Sequence, residues 1–503
     1  MTNRAILSIA VFIAGLCSII YELLISTTAT YFLGDGVRQF SIIIGVYLFS
    51  MGVGAYFAKM MSIKSLRNFV IIEYILGGVG AISVPLLYFV FTYVSISSFQ
   101  VICLAQIFII GFLTGTEVPL LTFSFSDDNI KDNLSTVLSL DYVGGLIATL
   151  IFPFVILPFV GLFYASLSFG IINILLGLGV NFIFFKNNKK MLLGGILSLV
   201  SILTLVLAGG QFMKVWEERI YKAPVIVNQQ TPYQKIVLTK KGDQVKLFIN
   251  RVIQFASLDE HRYHESLVHV PFSLKVNEAQ KVLVLGGGEN LATREIVKYP
   301  EVRQIDIVDI DSAIFRLALE HHEISAINQL APFDPRVNLV VDDAFSFMHR
   351  NQEKYDIIIA DLPDPNNQSL ARLYSTQFFH YAKRTLKDDG VFITQSGDIN
   401  TSNNVFSCIY TTMNEVFGGG LLTYHVYIPS FGDWGFVIFS NNKVPDFGRL
   451  PKGLKYLDQN ALLNNFELPR DVMISDVKTN TLDHPVILDY FLDDHTKFKE
   501  NSH

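Results

Sequence analysis

The chain divides into a strongly apolar half, up to about Phe212, and a half from Lys214 onward with the composition of a soluble protein. A helix that crosses a bilayer needs about 20 apolar residues. Seven stretches meet this condition, near residues 5–25, 39–58, 69–92, 98–120, 138–159, 162–185 and 192–213. The sequence therefore predicts a multi-pass α-helical membrane domain over residues 1–213.

Glycine, proline and acidic residues interrupt these apolar stretches. The glycines favour close packing of helices in lipid, and Pro153 and Pro158 predict a kinked fifth helix. The glycines are Gly77, Gly78, Gly80, Gly144, Gly145, Gly177 and Gly179. The acids within or beside the stretches are Glu22, Glu73, Glu117 and Asp141. These acids either line a cavity that attracts cations or hydrogen-bond between helices with a proton retained, and the second interpretation is favoured.

Length, charge and cysteine content exclude several classes of protein. A chain of 503 residues is too long for one ordinary domain, and we expect the main boundary near Lys214. The net charge of −6 gives no reason to expect a nucleic-acid partner. The three cysteines, Cys17, Cys103 and Cys408, predict neither a disulfide framework nor a zinc site.

The soluble half shows two patterns in succession. Residues 214–279 are predicted to form a linker and a small β-domain, with a hairpin turn at Lys241-Gly242-Asp243. Candidate strands then alternate with helices, at residues 282–285, 305–309, 337–341, 356–361, 391–395, 422–428 and 434–440. This alternation predicts an α/β Rossmann-like, methyltransferase-type domain over residues 280–445, with ligands at the carboxyl ends of the strands. Residues 446–503 are predicted to form a C-terminal tail packed on that domain.

A glycine-rich loop follows the first of these strands, in the sequence VLVLGGGEN. Gly286, Gly287 and Gly288 let the backbone turn sharply and approach a ligand closely. A dinucleotide fingerprint would place a further glycine at position 291, where this chain has Leu291. That difference weakens a nicotinamide or flavin interpretation.

Acidic residues end the next two strands. Asp309 lies about 20 residues after the glycines, where a carboxylate usually binds ribose hydroxyls; the alternative is a helix cap for the segment from Ser312. Asp343 could accept a hydrogen bond from an adenine amino group, with Asp342 competing for that role. A simple cap is again the alternative.

Three more acids, Glu289, Asp361 and Asp364, are expected at the same edge of the sheet. Glu289 would repel the carboxylate of S-adenosylmethionine and would attract the ammonium of its decarboxylated form. Asp361 could accept a proton from an attacking amine. A divalent metal is an alternative occupant, although no compact ligand motif supports it. The residues therefore favour a ligand that is part nucleoside and part cation.

These motifs resemble the polyamine aminopropyltransferase (spermidine synthase) family. The family's GGGDG loop corresponds to Gly286-Gly287-Gly288-Glu289-Asn290, and its DxxDP block to Asp361-Leu362-Pro363-Asp364-Pro365. Its YHE helix corresponds to Tyr263-His264-Glu265, and its tyrosine–glutamine pair to Tyr233-Gln234. The stretches YELLIST, FLGDGVRQFS, LDYVGG and SFGDWGF are similar to the membrane-bound branch, so the resemblance covers nearly the whole chain.

The resemblance implies a role for each matching residue. Asp361 would be the proton acceptor. The amine side of the site would contain Tyr263, His264, Glu289 and Asp364. The thioadenosine side would contain Gln234, Gly286, Gly288, Asp309, Asp343 and Ala344.

The implied reaction transfers an aminopropyl group from decarboxylated S-adenosylmethionine to putrescine, giving spermidine and methylthioadenosine, with no further cofactor and no metal. Glu289 and Asn290 in the glycine loop, and Asn366-Asn367-Gln368 after the DxxDP block, leave open a related polyamine as acceptor. The alternatives are a methyltransferase that uses S-adenosylmethionine and a non-catalytic polyamine-binding membrane sensor or transporter. Soluble relatives are dimers or tetramers, so the resemblance allows a homodimer.

Two arguments disagree about the side of the membrane on which the soluble half lies. Basic residues between spans two and three and between spans six and seven place both loops in the cytoplasm. These residues are Lys59, Lys64, Arg67, Lys186, Lys189 and Lys190. With seven spans the C-terminal domain would then lie outside, whereas a cytosolic donor requires a cytoplasmic domain in the cell membrane. The second argument is favoured, with the stretch 98–120 as the suspected miscounted or re-entrant segment because it contains Glu117 and Pro119.

Overall fold

The computed structural model describes residues 3–34, 36–60, 65–94, 96–125, 130–185, 188–275, 277–472 and 474–501. The chain forms two compact units, Met1–Val225 and Ile226–His503. The predicted boundary near Lys214 falls inside the last helix of the first unit, because that helix continues to Tyr221.

The first unit consists mainly of α-helices. Its helices are α1 (Asn3–Leu33), α2 (Gly36–Phe57), α3 (Ser65–Tyr93), α4 (Ile96–Thr122), α5 (Ile130–Ile151), α6 (Gly161–Phe184) and α7 (Lys189–Tyr221). Each of the seven predicted stretches corresponds to one of them. Within the described ranges, six helical segments are long and apolar enough to cross a membrane, because α5 and α6 belong to the single segment Ile130–Phe184.

The predicted irregularity in the fifth helix is observed between α5 and α6. A π-helical segment, Phe152–Val160, contains Pro158, and Gly161 follows with a φ of +73°. A proline removes a backbone donor and a left-handed residue breaks the helical path. By contrast, α4 is one continuous helix of 27 residues that includes Pro119. The suspected stretch 98–120 is therefore not a re-entrant segment.

Small residues bring the helices of this unit into close contact. A Cβ on Gly77 would lie 2.8 Å from the carbonyl oxygen of Gly170, and a Cβ on Gly54 or Gly144 would collide with backbone of α4 or α1. Among the predicted packing glycines, Gly78 and Gly179 have nothing within 4 Å of the place a Cβ would take. The close-packing prediction therefore applies to some of the glycines only.

The acids of the helical unit are largely enclosed by protein. Glu22, Glu73 and Glu117 are buried. Glu73 and Glu117 interact with each other, and no other described residue hydrogen-bonds to the Glu73 carboxyl oxygens. The interhelical interpretation of these acids therefore stays a prediction.

The second unit begins with a small four-stranded sheet, as predicted. Its order is β1 (Val225–Gln230), β2 (Lys235–Lys241), β3 (Gln244–Ile249) and β4 (Val252–Ala256). The turn between β2 and β3 contains Gly242 with a φ of +60°. This left-handed geometry explains the glycine at the predicted hairpin.

A seven-stranded sheet follows in the described residues, and all seven predicted strands are confirmed. The strands are β5 (Lys281–Gly286), β6 (Gln304–Asp309), β7 (Val337–Val341), β8 (Tyr355–Asp361), β9 (Leu386–Asp398), β10 (Leu421–Ile428) and β11 (Gly432–Phe439). Their order is β10-β11-β9-β8-β5-β6-β7. Strands β5 to β9 are parallel, whereas β10 and β11 add an antiparallel edge.

Helices cover both faces of this sheet. Along β5, Leu283 and Leu285 pack into one apolar core and Val282 and Val284 into the other. The helices of the unit are α8 (Glu260–Leu274), α9 (Leu291–Ile296), α10 (Ser312–Glu320), α11 (His322–Ile327), α12 (Ala344–Arg350), α13 (Gln368–Ala371), α14 (Thr376–Thr385), α15 (Asn403–Phe417), α16 (Gln459–Asn465) and α17 (Ile487–Asn501). A parallel sheet buried on both faces is the arrangement that the continuous apolar strands predict.

The C-terminal tail packs on the α/β domain, as predicted, and Glu265 of α8 anchors it. The buried Glu265 carboxylate accepts hydrogen bonds from the backbone N–H groups of Lys455 (2.8 Å), Tyr456 (2.9 Å) and Leu457 (2.8 Å). Leu457 is itself buried in the domain core. The glutamate of the YHE sequence thus has a structural role.

Replacing Glu265 with alanine should destabilise the protein, because three backbone N–H groups, of which that of Leu457 is buried, would lose their acceptor. We expect a loss of about 2 kcal/mol in the free energy of unfolding, together with faster proteolysis after residue 450. Thermal unfolding and limited proteolysis would measure both. The control is Glu278→Ala, at an exposed position; equal melting temperatures for the two variants would contradict the anchoring role.

Candidate active site

The site begins where two parallel strands end side by side. Gly286, the last residue of β5, lies opposite Asp361, the last residue of β8. Gly286 has a φ of +83°, and a Cβ there would collide with the carbonyl oxygen of Asp361. Only glycine meets both conditions, so the glycine loop can lie in direct contact with the segment from Asp361 to Asp364, which we call the acidic loop.

Asp309 closes the other side of the glycine loop. Its carboxylate accepts hydrogen bonds from the N–H groups of Gly288 (3.2 Å) and Asp311 (2.9 Å). A Cβ on Gly288 would lie 2.7 Å from the Asp309 Oδ2 atom. Burial raises the pKa of Asp309 to about 6, although the two N–H groups oppose the shift. The cap of α10 is Asp311 and not Asp309, so the capping alternative for Asp309 is wrong.

Asn290 replaces the last glycine of the family's loop and takes up the backbone geometry of a glycine. Its φ is +67°, a region that asparagine tolerates better than most residues. Its buried side chain donates to the carbonyl of Gly288 at 2.7 Å and accepts from the Thr293 hydroxyl at 3.0 Å. The asparagine side chain therefore bonds within the loop.

Asp343 and Ala344 start α12 at the end of β7. The Asp343 Oδ1 atom accepts from the N–H (2.9 Å) and hydroxyl (2.8 Å) of Ser346, so the capping interpretation is confirmed. Its Oδ2 atom pairs with the Arg372 guanidinium at 2.6 Å. Asp342 pairs instead with Arg350. Contact with adenine stays a prediction for Asp343 and Ala344, since a carboxylate oxygen has lone pairs for a second donor.

Gln234 follows a turn that reaches the same edge of the sheet. The Thr231 hydroxyl accepts from the Gln234 N–H at 3.0 Å and donates to the Asp311 carboxylate at 2.7 Å. The four-stranded sheet is thereby fixed near the end of β6. Contact of Gln234 with the nucleoside stays a prediction.

Three of the five side chains predicted for the amine side and the proton transfer form a compact group. One ring nitrogen of His264 and one carboxylate oxygen each of Glu289 and Asp361 all lie within 4.8 Å of one another. The His264 Nε2 atom is 3.7 Å from a Glu289 oxygen. The Tyr263 hydroxyl donates to Asp361 at 2.6 Å. Two carboxylates and one imidazole at this spacing can hold a cation, either a metal ion or an amine.

The protonation of His264 discriminates between these occupants. Its Nδ1 atom bonds to the Glu260 carboxylate at 2.9 Å, and Arg294 grips that carboxylate with two bonds of 2.8 and 2.9 Å. Burial alone would lower the pKa of His264, but Glu260 and Glu289 outweigh it and raise the pKa to about 10. A metal ligand must be neutral imidazole, so a metal ion would have to displace this proton, whereas an amine could bind beside Asp361 with the proton in place.

Asp361 has the properties of a proton acceptor near neutral pH. Desolvation and the charge of Glu289 raise its pKa to about 6, against the opposing effects of His264 and Tyr263. A base with a pKa close to the working pH combines a large ionised fraction with useful proton affinity.

Two buried residues that the sequence did not single out position the acidic loop. Gln395 on β9 donates to the carbonyl of Leu362 (2.6 Å), and more weakly to Asp364 (3.4 Å). The Tyr374 hydroxyl donates to the carbonyls of Leu362 (3.1 Å) and Pro363 (2.9 Å). Gln395 is the last residue of the predicted strand 391–395, and this position at the carboxyl end of a strand could have identified it as a site residue. No feature of the sequence identifies Tyr374.

Comparison with known proteins places the chain among aminopropyl-transferring enzymes. Residues 260–448 match the model of the spermine/spermidine synthase domain. The chain is 37% identical over 490 residues to a polyamine aminopropyltransferase of Leptospira interrogans, covering 96% of this chain and 97% of the relative. It is 35% identical to polyamine aminopropyltransferase 2 of Aquifex aeolicus, covering 98% and 99%.

Among solved structures, spermidine synthase from Thermotoga maritima is 26% identical to this chain. The superposition covers 49% of this chain and 86% of the synthase, with a TM-score of 0.46.

Replacing Asp361 with asparagine should stabilise the unliganded protein above pH 6. The folded-state pKa of about 6 lies above the ordinary value of 3.8, so ionised Asp361 costs folding free energy, and that cost grows as pH rises from about 4 to 6. We expect a gain of roughly 1–3 kcal/mol at pH 7.5. At pH 4 the gain should vanish, because the carboxyl is then largely protonated in the folded state and the ionisation cost is absent. Denaturant unfolding at the two pH values would test this; a gain that is equal at both would contradict it.

Proposed function

Because this chain belongs to the polyamine aminopropyltransferase family, we propose that it transfers an aminopropyl group from decarboxylated S-adenosylmethionine to putrescine. The products are spermidine and methylthioadenosine. Family membership supports the reaction class and the donor; the choice of putrescine is the proposed part. The enzyme class also argues against the methyltransferase and non-catalytic sensor alternatives.

The observation that carries the proposal is the group formed by His264, Glu289 and Asp361 beside the glycine loop. A nucleoside held at Gly286, Gly288 and Asp309 would direct its sulfonium arm toward these carboxylates. Glu289 would attract an ammonium and repel a carboxylate at the end of that arm. The decarboxylated donor satisfies this condition, and ordinary S-adenosylmethionine does not.

The residues support a direct displacement. The lone pair of the acceptor nitrogen forms a bond to the carbon beside the sulfonium, and the carbon–sulfur bond breaks with its electron pair going to sulfur. Asp361 takes the proton that the new secondary ammonium releases. The sulfonium is a good leaving group, so alignment and deprotonation of the amine are the protein's main contributions.

The charges of the site separate the two ends of a diamine. Protonated His264, 3.7 Å from Glu289, disfavours a second ammonium beside Asp361, so the attacking nitrogen is bound neutral. Asp364, three residues after Asp361 in the same loop, would then pair with the distal ammonium. This division of roles supports a diamine such as putrescine, and a longer polyamine with the same end group would also fit it.

We further propose that the first unit spans the cell membrane with the catalytic domain on the cytoplasmic side. Six segments of its described residues have the length and apolar character of membrane spans, and large apolar side chains such as Phe49, Phe159 and Leu207 are exposed on it. Exposed apolar side chains in this number suit a lipid environment. The cytosolic donor supports the orientation, against the loop charges.

Neutralising an acid that faces the amine should raise the KM for putrescine. We expect Asp364→Asn to raise it at least about tenfold, the factor for losing one charge-assisted hydrogen bond to the distal ammonium, and Glu289→Gln to raise the KM for the decarboxylated donor by a similar factor. Binding of methylthioadenosine, which has no ammonium, should change by less than about threefold. Methylthioadenosine release and calorimetry would measure the two quantities.

The control for this prediction is Glu320→Gln, an acid at the end of α10, which should leave both quantities unchanged. An unaltered KM for putrescine in Asp364→Asn, or for the donor in Glu289→Gln, would contradict the proposed amine side. Absence of methylthioadenosine release by the wild-type protein with any polyamine would contradict the function itself.

A reporter fused after His503 should show where the catalytic domain lies. We expect cytoplasmic activity, for example fluorescence of a protein that folds only in the cytoplasm, because the donor is made there. An alkaline phosphatase fusion is the complementary probe, and strong phosphatase activity would overturn the proposed orientation in favour of the loop charges.

A further inference from the structure

A three-residue turn, Arg372–Tyr374, contacts both halves of the candidate site. On one side, the Arg372 guanidinium pairs with Asp343 Oδ2 at 2.6 Å. On the other, the Tyr374 hydroxyl donates to Pro363 at 2.9 Å and to Leu362 at 3.1 Å. The same short turn therefore contacts Asp343, which is predicted to bind the nucleoside, and the backbone between Asp361 and Asp364, which are predicted to face the amine.

The amine side of this connection is firmly held. Tyr374 is fully buried, and Gln395 donates to its hydroxyl oxygen at 2.8 Å. Just before the turn, the carbonyl of Ala371 accepts from the buried Asn480 side chain at 2.8 Å. A movement of the turn would therefore be passed to the loop from Leu362 to Asp364.

The nucleoside side of the connection is partly exposed to solvent. The side chains of Arg372 and Asp343 are 36% and 21% exposed. Arg372 also lies over the ring of Phe345, 5.4 Å from its centroid. Water screens an ion pair at such exposure and limits its strength. A ligand that covers the pair would exclude this water and strengthen it.

We propose that Arg372 is a positioning residue that couples nucleoside binding to amine binding. The inference rests on the proposed function, since it requires a nucleoside at Asp343 and Ala344. A bound nucleoside shields the Arg372–Asp343 pair, the pair fixes the turn, and Tyr374 then holds Asp361 and Asp364 in the arrangement that receives the polyamine. The acceptor amine accordingly binds more tightly after the nucleoside.

The neighbouring ion pair supplies a matched control. Arg350 pairs with Asp342, one residue before Asp343, and lies on α12, outside the turn. Its side chain is well exposed. Arg350→Met removes the same charge from the same corner of the sheet and leaves the connection to the acidic loop intact.

The test is calorimetric titration of the full-length protein with putrescine, with and without saturating methylthioadenosine. For the wild type we expect the nucleoside to tighten putrescine binding about fivefold, the factor for one partly exposed ion pair. Arg372→Met should reduce the effect to less than about twofold. Arg372→Lys should restore part of it, because a lysine keeps the charge but not the planar guanidinium. Arg350→Met should behave as the wild type.

Kinetics provide a second measurement. Arg372→Met should raise the KM for the amine while kcat changes little, because the variant keeps Asp361 and its partners. Coupling that persists in Arg372→Met, or that Arg350→Met abolishes equally, would overturn the positioning role. Methylthioadenosine release by the wild type separates the two proposals. If the protein turns over but the nucleoside does not tighten putrescine binding, only the role of Arg372 is rejected. If the protein does not turn over, the proposed function is rejected.

Discussion

The parallel pairing of β5 with β8 is the constraint on which the site depends. It sets Gly286 opposite Asp361, and the two residues are too close for a side chain at position 286. The loop that predicts nucleoside binding and the loop that carries the acids therefore leave the sheet together. A shift in this register would separate them, because in a strand each residue step reverses the face of the sheet.

Concentrating acids at this edge has an electrostatic cost that the surrounding residues reduce. Desolvation and the charge of Glu289 raise the pKa of Asp361, and the nearby protonated His264 lowers it in part. His264 keeps its proton because Glu260 accepts from it, and Arg294 holds Glu260. Buried charges in such a series are favourable only when every charged group has a partner. The series from Arg294 through Glu260 to His264 leaves Glu289 and Asp361 available to a cationic ligand.

The same edge shows how one helix serves two purposes. In α8, Tyr263 and His264 face the acids, whereas the next residue, Glu265, accepts three N–H groups from the tail. Successive helical residues point about 100° apart, so a contiguous sequence motif divides between chemistry and stability. The tail is thus part of the support for the residues that face the amine.

Much of this protein was determined by the sequence alone. Apolar stretches of about 20 residues, alternating strands and a glycine loop identify the helical unit, the seven strands and the acids at their ends, since hydrophobic period and backbone freedom are local properties. Tertiary structure decided what depends on neighbours distant in the chain. It assigned the α10 cap to Asp311 instead of Asp309 and turned Asn290 inward. It also brought Gln395 and Tyr374 to the acidic loop and Arg372 to Asp343. The roles of Gln395 and Arg372 follow from a hydrogen bond and an ion pair across 33 and 29 residues, and no local pattern encodes such partners.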